Sequence, residues 1–131
     1  MFARSDYAAN AGNRETGWTA YNSTNQTGVI FSRDGLRLDD VVDGTSNTYL
    51  LGERFLNPDY YMNGNSNGND QGWATGHDLD TFRGTDYQAS DPVGSSTYAP
   101  RRDRAGVENR EAFGGPHAVF NMAWCDGSVR G

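Results

Sequence analysis

The segment FGGPHAVFNMAWCDGSVRG, residues 113–131, sets His117, the chain's single cysteine Cys125, and Asp126 within ten positions. Those three types are the parts of a nucleophilic site, in which an imidazole takes the thiol proton and a carboxylate orients the imidazole. Such chemistry requires the side chains to converge within about 3 Å of one another. The surrounding pattern points elsewhere. Phe120, Met122 and Trp124 alternate with Asn121, Ala123 and Cys125, the period of two of a strand with one bulky apolar face. Residues 118–125 are therefore expected to form a strand turning at Asp126-Gly127, a dipeptide favoured in two-residue hairpin turns. Phe120, Met122 and Trp124 are then buried on one face, and Cys125 lies on the other. Residues strung along a strand and its turn need not meet, so the reading is structural: no enzyme and no catalytic residue.

A second group could hold a cation. In NGNSNGNDQG, residues 63–72, the spacing of Asn63, Asn65, Asn67 and Gly68 echoes the first half of a calcium loop. The charge is missing, because those ligands are neutral amides and the place of the bidentate glutamate is taken by Ala74. Asp70, Asp78 and Asp80 could supply oxygens to Ca²⁺ if the loop folds back on them, with His77 between. Solvated loop carboxylates are the simpler expectation, and no other cofactor is indicated. Asn22 and Asn25 each open an N-x-[ST] triplet, the acceptor pattern for glycosylation of an exposed loop.

The remaining conspicuous residues have quieter readings. Trp18, Trp73, Trp124, Tyr60 and Tyr61 could stack on sugars, but large aromatics in so small a domain are expected in its core. Arg101, Arg102 and Arg104 with Asp103 suggest a solvated loop. Glu53 and Arg54 suggest a surface pair, in preference to a buried Glu53 paired with an arginine.

The elements that must position these groups are mostly strands. Residues 48–55, TYLLGERF, form a continuous apolar run of central-strand type. GVIFS, residues 28–32, is a shorter one, and residues 36–48 suggest one or two helical turns around Leu38, Val41 and Val42. Residues 1–27 read as irregular surface, 57–72 and 90–112 as long loops, and 73–84 as a strand or irregular edge. With 131 residues the chain fits a single domain, 1–131, with one modest core. Its 17 glycines and 12% aromatics favour strands joined by turns. The formal charge of −6, with no lysine, disfavours nucleic acid as a partner. No stretch approaches the roughly 20 apolar residues needed to insert in a membrane.

RSDYAANAG, VVDGTSNTYLLGERFLNPD, NDQGWATGHDLDTFR and AFGGPHAVFNMAWCDGSVRG, in this order over most of the chain, resemble the planctomycete-type proteins known as domain of unknown function 1559. Members carry a prepilin-type segment, a hydrophobic helix and a closing His-to-Asp-Gly motif, which His117, Asp126 and Gly127 match. The resemblance implies an α+β, strand-dominated, pseudopilin-like globular head with an antiparallel sheet and a C-terminal hairpin, the hydrophobic helix not being in this chain. It implies an extracellular or cell-surface structural subunit that assembles with copies of itself into a filament. The alternative is a cell-surface module binding glycans or calcium.

Overall fold

The structure, a computed structural model, describes residues 3–12, 27–30, 36–76, 78–85 and 99–131. Asn22, Asn25, Trp18 and His77 lie outside the described residues, as do the last two residues of the strand expected at 28–32.

Among the described residues there are seven short strands: β1 (Tyr7–Asn10), β2 (Tyr49–Glu53), β3 (Phe82–Arg83), β4 (Arg101–Arg102), β5 (Gly114–Gly115), β6 (Met122–Trp124) and β7 (Val129–Arg130). Five of them form one sheet in the order β3-β1-β2-β6-β7, and β4 and β5 pair separately. The architecture is strand-rich, as expected, with β2 at its centre where the continuous apolar run predicts it. The sheet is mixed rather than antiparallel, because β3 joins β1 in parallel. Among the described residues, no helix is long and apolar enough to cross a membrane.

β1 corrects the reading of residues 1–27 as irregular surface. Tyr-Ala-Ala-Asn carries no strand signal, yet its small residues suit an inner strand. Ala8 is buried between neighbours, and the buried Asn10 donates from Nδ2 to the Tyr49 carbonyl at 2.9 Å while its Oδ1 accepts the Gly12 N–H. The helical turns expected at 36–48 shrink to one 3₁₀ turn at Leu38–Asp40 with no buried residue, so no packed face stabilises a longer helix.

The register assigns each residue a side. On one face Ala8 opposes Gly52, Gly52 opposes Met122, and these pack with Phe113 to form the core, joined by Tyr49 and Phe120. Gly52 is required there: a Cβ would lie 2.0 Å from Met122 Sδ and 2.9 Å from Phe113 Cδ1. A register shift between Tyr49 and Leu51 lets Tyr49 and Gly52 both face inward. The opposite face carries Ala9, Leu51, Ala123 and Val129, directly opposed in a row across four strands, with Tyr7 and Glu53 alongside.

The aromatic expectation needs correction. Trp73 is 64% exposed, Tyr61 is exposed, and Tyr60 and Trp124 are only half-buried. Short strands and close loops leave too little depth for indoles, and the interior is built from Phe55, Phe82, Phe113, Leu79 and alanines instead.

Two buried arginines fasten the Asn/Gly loop. Arg54, 2% exposed, donates from Nη1 to the carbonyls of Gly68 and Asp80 at 2.8 and 2.6 Å and from Nη2 to Asn69 Oδ1. Arg83, fully buried, donates to the carbonyls of Leu79, Phe82 and Gly68. Glu53-Arg54 is thus not a surface pair: successive strand residues point to opposite faces, and Arg54 takes the inner one. The loop that follows is stitched to the second long loop, since Glu108 accepts from Asn57 and Ser66 while Asp59 accepts the Gly106 N–H.

Candidate functional site

The hairpin comes first because it holds most of the residues singled out by their chemistry. β6 and β7 pair with Met122 opposite Arg130 and Ala123 opposite Val129. The Trp124 N–H reaches the Ser128 carbonyl, and the Gly127 N–H returns to the Trp124 carbonyl at 3.0 Å. The connection is therefore three residues, Cys125-Asp126-Gly127, with Gly127 at φ +83° supplying the left-handed position. The turn is one residue longer than the expected two-residue form, and β6 is correspondingly shorter than 118–125. Met122 is buried as expected, while Phe120 and Trp124 are half-buried.

Asp126 belongs to this turn. Its Oδ1 accepts the Ser128 N–H and hydroxyl at 2.9 and 2.6 Å, and Oδ2 lies 3.0 Å from Arg130 Nη2. The Ser128 bonds hold its carboxyl below the usual range, aided by Arg130. Arg130 also donates to the Ser46 carbonyl and lies 4.6 Å over the Trp124 ring, whose other neighbour is Tyr49. The N–H groups of Cys125 and Asp126 are taken by Thr48 and Thr45. Cys125 is buried, and burial, with Asp126 beside it, pushes its thiol up. A thiol held protonated is a poor nucleophile. His117 is exposed and, among the described residues, takes part in no hydrogen bond or ion pair with Cys125 or Asp126.

The three carboxylates considered for calcium are not alike. Asp80 is buried: its Oδ1 lies 3.9 Å from Arg54 Nη1 and accepts the Gln71 N–H at 3.2 Å. Burial raises its carboxyl from 3.8 to about 6, against the pull of Gln71 and Arg54. Asp70 is exposed and Asp78 half-buried. Among the described residues no three of His, Cys, Asp and Glu are grouped so as to hold a metal ion.

His117 does stand at a site of another kind. A cleft of about 390 Å³ opens beside it, lined by Asp6, Tyr7 and Glu53 at the ends of β1 and β2. Arg54, Leu56, Tyr61, Asn69 and Asp103 also line it, with Gly115 and Pro116 next to His117 in the chain. Asp103 is the pivot. Its Oδ1 accepts the Leu56 N–H at 2.9 Å, and its Oδ2 accepts the Tyr61 hydroxyl. Burial and that hydrogen bond push the Tyr61 phenol far up, so it remains a donor. Glu53 is fixed by the Asn121 N–H at 2.8 Å on Oε2. Arg101 and Arg102 form a strand beside β5 rather than a solvated loop, and this aims Asp103 inward. The sequence marks His117 but not its company here. Five distant segments build the cleft, and only the aromatic and acidic composition of 53–61 hints at it.

Comparison with curated proteins and with solved structures finds no match. A family model described as "Protein of unknown function (DUF1559)" matches residues 1–131, from first residue to last, and the chain therefore belongs to that family.

Proposed function

We propose that this chain is a structural subunit of an extracellular or cell-surface filament, a pseudopilin-like head that joins copies of itself through head contacts. The observation that carries this reading is the outer face of the sheet, which among the described residues is exposed at Tyr7, Leu51 and Val129, while Phe82, beside Ala9 on β3, is buried. Tyr7, Leu51 and Val129 are 54%, 38% and 67% exposed there, with Ala9 and Ala123 between them. Side chains this apolar and this contiguous are stabilised when a second surface excludes water from them. A heterologous contact between identical heads does not close on itself unless its rotation permits, so its natural product is a helical filament. The chain's net charge of −6 and its many Asn, Asp and Arg side chains suit a hydrated, hydrogen-bonded rim.

The test is immunolabelling of native extracellular material, together with sedimentation of the purified chain over a range of concentrations. Labelled filaments and concentration-dependent association are expected. Dispersed monomers at every concentration, with no labelled filament, would overturn the reading.

A further inference from the structure

We propose that the cleft beside His117 binds a small neutral saccharide. This goes beyond the filament reading and does not depend on it. The volume, about 390 Å³, falls inside the range of small-molecule sites, about 300–1,000 Å³. Its walls are already ordered: Asp103 is held by Leu56 and Tyr61, Glu53 by Asn121, and Asn69 by Arg54. A ligand entering it meets groups that need little rearrangement to bind.

The wall chemistry selects the ligand class. The rings of Tyr7 and Tyr61 and the pyrrolidine of Pro116 offer flat apolar surfaces, which suit the C–H faces of a pyranose. Glu53 and Asp103 each accept hydrogen bonds from the protein yet retain free lone pairs, which suit sugar hydroxyls as donors. Anionic ligands are disfavoured, because Asp6, Glu53 and Asp103 line the cleft, and of the Arg54 guanidinium, which also lines it, Nη1 and Nη2 are committed to Gly68, Asn69 and Asp80, leaving only the buried Nε without a partner. A wholly apolar ligand would desolvate those carboxylates without replacing their hydrogen bonds. A compact cation wants its acceptors gathered at one point, whereas among the described residues no three of His, Cys, Asp and Glu are grouped as metal ligands. Dispersed acceptors between flat apolar surfaces fit a polyhydroxylated ring.

The test is a titration of the isotopically labelled full chain, followed by amide chemical shifts. The probes are glucose, galactose, N-acetylglucosamine and their β-linked disaccharides, with arginine methyl ester as the cationic comparison. At least one saccharide is expected to shift the amides of Tyr7, Glu53, Tyr61, Asp103 and His117 saturably, leaving those of Asp126 and Ser128 in place. Tyr7→Ala is expected to weaken that binding about tenfold, the loss of one ring contact. His117→Gln, on the exposed rim, provides a second variant if Tyr7→Ala perturbs the strand. Val129→Asp, on the sheet but outside the cleft, is expected to bind the sugar as the parent does, so loss of assembly and loss of sugar binding are read separately. No saturable shift from any saccharide at about 10 mM, shifts outside the cleft, or a response to the cation alone would overturn the proposal.

Discussion

Replacing Arg54 by Met should be among the most damaging single changes in the chain. It strands the buried Asp80 carboxylate and deprives the Gly68 and Asp80 carbonyls of their donor. Removing one partner of a buried pair costs about 3–5 kcal/mol, measurable as a shift in the urea midpoint. The loss should be smaller at pH 5 than at pH 8, since a protonated Asp80 needs its partner less. Asp80 itself carries a pH signature. Its folded value of about 6 lies above the ordinary 3.8, so the folded state binds the proton more tightly. That contribution to stability is complete at low pH and is lost as pH rises from about 4 to about 6. The unfolding free energy of the parent relative to Asp80→Asn should therefore fall across this window and be level above it. Cys125 offers a third check: a thiol probe at neutral pH should label the folded protein slowly and the urea-unfolded protein rapidly, because burial keeps the sulfur covered and protonated.

At the scale of elements, legibility followed from how strongly a segment's own residues determine its surroundings. Residues 48–55 read as a central strand because a continuous apolar run has few other uses, and alternation followed by Asp126-Gly127 located the closing hairpin, though with a turn one residue longer and a β6 shorter than expected. β1 was illegible, since Tyr-Ala-Ala-Asn becomes an inner strand only through partners at 49–53 and 82–83. The buried arginines were illegible for a related reason: a guanidinium goes inside only when a loop folds its carbonyls around it, and composition cannot announce that. The cleft shares this property, because its walls come from segments that only the completed fold brings together. Two element-level changes follow. Gly52→Val should cost about 1–3 kcal/mol through overpacking against Met122 and Phe113, seen as a lowered melting temperature. Trp124→Ala, half-buried between Tyr49 and Arg130, should cost about 2 kcal/mol, less than for a fully buried indole.

For the whole molecule the decisive property is the two-sidedness of the main sheet. One side closes on Phe113 and Met122, while the other presents Leu51 and Val129 to solvent. Val129→Asp should leave the folded domain as stable as the parent, within about 0.5 kcal/mol, yet abolish concentration-dependent association in sedimentation. Unchanged association would show that copies meet elsewhere.

The order β3-β1-β2-β6-β7 also has a meaning in time. During synthesis residues 7–10 emerge first and must wait for 49–53, and those in turn wait for 122–124. Each pairing closes a long loop before any contact rewards it, which makes such topologies slow to fold. The sheet cannot be completed on the ribosome until nearly the entire segment has been released. A released chain truncated at residue 120 should consequently remain protease-sensitive, and one extended by ten more residues should gain resistance in one step.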